Sequence, residues 1–144
     1  MGSQLREFIE SLNSTNVEYL IVGGYAVAFH GHPRFTADID FFIAVNPQNA
    51  QAVVNAIDQF GFGSLGLTPA DFLQPDAIIQ IGHPPNRIDL ITEISAVSFS
   101  DAWPTRVPGT LDGVPVNFIS RELLLKNKRA TGRPKDIADV DQLQ

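Results

Sequence analysis

Asp38 and Asp40 stand two residues apart at the head of an apolar run, Asp38-Ile39-Asp40-Phe41-Phe42-Ile43-Ala44-Val45. Apart from the two acids, the run has the length and the β-branched and aromatic content of a buried strand, and strand side chains alternate between faces. Both carboxylates must therefore point the same way, side by side. Two like charges on one apolar face repel each other and resist loss of water. A chain that buries this strand must satisfy the pair with hydrogen bonds and caps, or bring a cation to it.

The stretches around this strand read as alternating helices and strands. Leu5, Phe8, Ile9 and Leu12 fall at helical spacing and predict an opening amphipathic helix. Val17–Gly24 reads as a short strand that ends in Gly23-Gly24, followed by a short apolar helix that stops at Gly31 and Pro33. After the acidic strand, Asn46 and Pro47 are cap-like, Val53, Val54, Ile57 and Phe60 mark a helical face, and Gly61 closes it. Asp76–Gly82 and Arg87–Thr92 predict two strands joined by a hairpin loop, and the stretch 106–120 predicts a second hairpin turning at Asp112-Gly113. Thr68–Leu73 and Ser98–Trp103 read as short helical turns. Ser120 opens a helix through Thr131, without the acid at Leu123 that a capping box would have, and Pro134 starts a last one. This order predicts an α/β (α+β) domain with a mixed sheet flanked by helices.

The 144 residues fit one domain with a single core, and none is cysteine, which excludes disulfides, thiolate metal sites and a cysteine nucleophile. No apolar stretch reaches the roughly 18 residues of a membrane span. The amino terminus has no apolar signal region, and Arg6 stands where a myristoylation pattern wants Ser or Thr. The expectation is a cytoplasmic protein with no membrane partner. The net charge of −6 is uneven: residues 1–120 hold 4 basic and 12 acidic residues, residues 121–144 hold 6 basic and 4 acidic. That basic segment, Arg121 to Lys135, is either a solvated helix face or a surface for a phosphate-bearing ligand.

Two more features bear on the paired acids. Gly23-Gly24 ends one strand and opens a helix, so it is either a tight turn or a place where backbone N–H groups approach an anion with no Cβ in the way. Asp89 lies between Ile88 and Leu90 on a strand of its own, and either pairs with Arg87 or Arg106 or joins the first two acids. Three aspartates on adjacent strands suit a hard divalent cation that takes carboxylate oxygens, and such an ion offsets their repulsion.

Gly23-Gly24, then Asp38-Ile39-Asp40, then Asp89 between apolar neighbours, resembles the nucleotidyltransferase superfamily typified by DNA polymerase β. The stretch Tyr19–Ile43 is more specific and resembles the minimal nucleotidyltransferases related to abortive-infection toxins. The segment Leu123–Leu143 resembles their closing motif, a lysine followed about ten residues later by Lys-Asp and a further Asp. The resemblance implies one nucleotidyltransferase domain over 1–144, with core 1–119 and a helical segment 120–144 that closes the site. It implies transfer of NMP from an NTP to an acceptor hydroxyl, on a tRNA end or a protein. It further implies Mg2+ or Mn2+ held by Asp38, Asp40 and Asp89, with Asp89 helping to deprotonate the acceptor. Gly23, Gly24 and Lys126 would hold phosphates, Asp136 would close the site, and Arg34 would grip a phosphate or pair with Asp38 or Asp40. ATP as donor and a toxin with a cognate antitoxin complete the expectation. Against it stand an inactive nucleotide-binding or protein-interaction module of the same fold, and a metal-dependent phosphohydrolase. His30, His32 and His83 read as loop residues, Lys128 and Arg129 as solvated.

Overall fold

The computed structural model describes residues 3–33, 36–82 and 87–143. Its elements follow the expected order: α1 (Ser3–Ser14), β1 (Tyr19–Val22), α2 (Gly23–Phe29), β2 (Ile39–Ile43), α3 (Pro47–Phe60), β3 (Ile78–Ile81) and β4 (Ile88–Ile91), then α4 (Phe99–Ala102), β5 (Val107–Leu111), β6 (Val114–Phe118), α5 (Arg121–Thr131) and α6 (Pro134–Leu143). The acidic strand is shorter than its apolar run. Asp38 lies between a bend at Ala37 and the start of β2, and Ala44 and Val45 follow the strand.

The six strands form one mixed sheet in the order β3-β4-β2-β1-β6-β5. Three neighbouring pairs are antiparallel hairpin-like partners, while β2–β4 and β1–β6 run parallel. Parallel neighbours need a crossover, and α3 with the segment after it supplies the one from β2 to β4. The Asp112-Gly113 turn has positive φ at both residues, 52° and 78°, which matches the twist of a two-residue hairpin.

One continuous apolar core binds the elements together. On one face of the sheet Phe41 lies 5.8 Å from Phe8 of α1 and 5.4 Å from Tyr19, and Phe60 of α3 meets Phe8 at 5.3 Å. Phe42 points to the other face and meets Phe99 of α4 at 5.2 Å. The same core includes Leu124 and Leu125 of α5 and Val140 and Leu143 of α6, so the carboxy-terminal helices are part of the fold rather than an appendage. Caps fix the helix starts: Asn46 accepts from the Asn49 N–H at 2.8 Å, and Ser120 from the Leu123 N–H at 3.3 Å. A capping box not foreseen from the sequence starts a 3-10 turn at Thr68, where Asp71 accepts from the Thr68 N–H at 2.8 Å.

No helix among the described residues is long and apolar enough to cross a membrane.

Candidate active site

Register brings the acids together. In the parallel β2–β4 pair Asp40 stands beside Asp89, and in the antiparallel β1–β2 pair it stands beside Val22, next to the glycine turn. Asp40 and Asp89 therefore share the sheet face opposite Phe41, and Asp38 precedes them on the same edge. Asp89 is 7% exposed.

The glycines are there because the acids are close. Gly23 has φ +66°, a region L side chains rarely adopt, and a Cβ there would run into a carboxylate oxygen of Asp40. At Gly24 a Cβ would lie 2.9 Å from both Cβ and Oγ1 of Thr36. Thr36 thus fills the space that a side chain at position 24 would take, and its hydroxyl donates to the Asp38 carbonyl at 3.2 Å.

Arg87, one residue ahead of β4, reaches back across the cluster. Its Nε donates to Asp89 Oδ1 at 2.9 Å, and its Nη2 to Asp89 Oδ2 at 3.1 Å and Asp38 Oδ2 at 2.8 Å. Arg87 makes no such contact with Asp40. Burial, then the neighbouring charge and hydrogen bond of Asp89, then the charge of Asp38, push its carboxyl up to about 6, against the pull of Arg87.

The carboxy-terminal helices add the cations. Lys128 is 4% exposed, and its Nζ lies 3.0 Å from Asp136 and 3.1 Å from Asp139. Asp136 also accepts from Arg133 Nε and from the Thr131 hydroxyl, both at 2.6 Å. Burial alone would raise the Asp136 carboxyl, but the hydrogen bonds from Arg133, Thr131 and Lys128 hold it well below the usual carboxylate range. A cavity of about 220 Å3 lies between these helices and the sheet, with Asp38, Asp40 and Asp89 on one side and Lys128, Arg133 and Lys135 on the other. Gly23 and Gly24 form part of its wall. A polar cleft of about 420 Å3 continues from Gly23, Asp40 and Lys128 over Ile78, Ile91 and Ile94, with Asp76 and Glu93 along it.

The residues fit a hard cation in their chemistry. Among the described residues Oδ1 of Asp38 is buried with no hydrogen-bond partner, and the raised Asp40 carboxyl is one whose ionised form a cation would favour. As the side chains lie, no three Asp, Glu or His groups among the described residues close around one point. Arg87 lies between Asp38 and Asp89 and occupies both oxygens of Asp89 and Oδ2 of Asp38.

Of the residues singled out from the sequence, Asp38, Asp40, Asp89, Gly23 and Gly24 line the cavity. Arg34 lies outside the described residues, as does His83. Lys126 is exposed on α5 and is not on the cavity wall, whereas Lys128, read as solvated, is. Two residues along a helix turn the side chain by about 200°, and it is Lys128 that shares the buried stripe with Leu124. That spacing was the available signal for it. Asp136 reaches the site through its hold on Lys128 and Arg133. Arg87, which the sequence offers only as an ion-pair partner for Asp89, takes that place and Asp38 besides. His30 serves the fold, with Nε2 2.7 Å from the Ile119 carbonyl oxygen.

Residues 3–144 match the family described as "Nucleotidyltransferase of unknown function (DUF6036)". The chain belongs to this nucleotidyltransferase family. Its fold is shared with an antigenic nucleotidyltransferase-like protein from Paracoccidioides brasiliensis, at 21% identity and TM-score 0.53 over 97% of this chain and 74% of that one. It is also shared with ANT(2")-Ia in complex with adenylyl-2"-tobramycin, at 14% identity and TM-score 0.59 over 98% of this chain and 86% of that one. No curated protein matches the sequence. The nucleotidyltransferase fold and superfamily expected from the aspartate motif are thus those of the chain, a mixed sheet flanked by helices.

Proposed function

We propose that this nucleotidyltransferase is an active, Mg2+- or Mn2+-dependent enzyme that moves NMP from an NTP, ATP among them, to an acceptor hydroxyl. The observation that carries this reading is the cavity itself, in which three aspartates meet a glycine turn and four basic side chains. Three carboxylates gathered on one cavity wall beside a glycine turn favour an active site over an inactive module.

Each residue has a part in that reading. The N–H groups at the start of α2 meet the triphosphate, with no Cβ at Gly23 or Gly24 to hold it off. Arg133 and Lys135 offset the charge that grows on the leaving pyrophosphate, and Lys128 adds to the same field from its buried place. Asp38, Asp40 and Asp89 would hold the divalent ion, which would supply Lewis acidity and neutralise phosphate charge. Asp89 takes the proton of the acceptor hydroxyl. The acceptor oxygen then bonds to the α-phosphorus as the bond to the α–β bridging oxygen breaks, and pyrophosphate leaves.

The acceptor belongs to a tRNA end or to a protein, and the protein acts as a toxin with a cognate antitoxin; the family resemblance supports both. ANT(2")-Ia, seen with adenylyl-2"-tobramycin, adds a small-molecule hydroxyl to the acceptors worth offering. Transfer is tested with each α-labelled NTP and Mg2+, with total tRNA, lysate protein and aminoglycosides as acceptors. Label on an acceptor that disappears in Asp40→Asn supports the reading and identifies base and acceptor. NMP released without an acceptor would replace transfer by hydrolysis, and tight NTP binding without turnover would leave a binding module.

A further inference from the structure

Arg87 satisfies three carboxylate oxygens of the cluster, two on Asp89 and one on Asp38. Both Asp89 oxygens are ones that a divalent ion would also take, and at Asp38 the guanidinium sits on Oδ2, beside the Oδ1 left open to the ion. A guanidinium and a divalent cation at the same carboxylates repel one another, so each weakens the other's hold. The arginine is not locked in place by the core. Its side chain is 27% exposed, and among the described residues its ion pairs are those to Asp38 and Asp89. It also has somewhere to go. Arg87 lines a second cavity, of about 340 Å3, walled by Tyr25, Ile39, Phe62, Ile81 and Ile88. Ile39, Ile81 and Ile88 pair across three strands on the sheet face opposite Asp40 and Asp89, so the guanidinium stands at the edge between the two cavities.

We propose that Arg87 is an internal counter-cation of the site. It holds Asp38 and Asp89 in the ion-free protein, competes with the divalent ion for their oxygens, and turns toward the neighbouring cavity when the ion binds. Arg87 is then a positioning residue that sets the affinity for the metal. This inference rests on the reading of the aspartates as metal ligands and is independent of what is transferred, or to what.

The test is Mn2+ binding by calorimetry, with thermal unfolding followed in EDTA and in Mn2+, for the full chain and its variants. Arg87→Gln is expected to bind Mn2+ about tenfold more tightly, the scale of losing competing charged hydrogen bonds. Its ion-free melting temperature falls because the aspartates repel unopposed, and its rise on adding Mn2+ exceeds that of the wild type. A purely structural arginine would lower both curves together. Unchanged or weaker Mn2+ affinity in Arg87→Gln overturns the proposal. Should that variant not fold, Arg87→Lys keeps the charge without the two-pronged contact. An affinity for Mn2+ above the wild type's then supports competition, and one equal to or below it overturns the proposal. The metal reading has its own control: Mn2+ binding by the wild type that survives in Asp40→Asn, or is never seen, removes the ligand assignment itself.

Discussion

At the scale of single residues, the site is a contest between charge and burial. Asp40 carries the sharpest consequence, because its carboxyl is raised from an ordinary 3.8 to about 6. A raised carboxyl favours the folded state while it stays protonated. That stability is present below about pH 4 and lost as pH rises through about 6. In EDTA the wild type should therefore lose on the order of 2 kcal/mol over this window, after allowance for solvent screening. Asp40→Asn should lose the slope and all transfer activity while keeping the fold, and urea midpoints at pH 4 to 7 read the difference. Asp136 acts oppositely and at lower pH, its stability being lost as acid reaches below the usual carboxylate range. The two lysines of α5 separate in the same manner. Lys128→Met leaves Asp136 and Asp139 buried without their ammonium and should cost about 3 kcal/mol or more. Lys126→Ala, at an exposed position, should stay within about 0.5 kcal/mol. Chemical denaturation of both variants measures this.

At the scale of elements, the joint between β1 and α2 decides how close backbone comes to the acids. Gly23→Ala places a methyl group against Asp40 at a left-handed backbone position, so the turn must open. The expected result is a loss of about 2 kcal/mol, from strain and displacement together, with weaker NTP binding, read by thermal shift and by nucleotide titration. Most elements were legible from local signals. Asn46 and Pro47 announced α3, Gly61 ended it, and Asp112-Gly113 announced the second hairpin. The apolar run outlasts the strand: β2 ends at Ile43, the Ala44 N–H makes one more bond across to the Glu18 carbonyl, and Val45 lies beyond it. Lys128 was misread because its charge outweighed its place on the buried stripe of α5.

At the scale of the whole molecule, one core joins the sheet to both carboxy-terminal helices. Unfolding should therefore be a single event. Tryptophan fluorescence from Trp103, which stacks on Phe99, and far-ultraviolet circular dichroism should give coincident urea transitions. A separate earlier transition for residues 121–143 would show a helical unit that melts alone. Within that frame, the alternation of apolar and charged residues, the turn glycines and prolines, and the paired aspartates determined the elements and pointed to the chemistry. Each of these is a local property, since strand period, helix caps and left-handed turns depend on neighbours a few residues away. Only the tertiary structure decided that β2 lies between β4 and β1, which sets Asp89 beside Asp40 across 49 positions of chain. The same holds for Lys128 rather than Lys126 facing the acids, and for Arg87 closing over Asp38 and Asp89. Those choices are settled by packing and charge between segments far apart in the chain, where no spacing rule reaches.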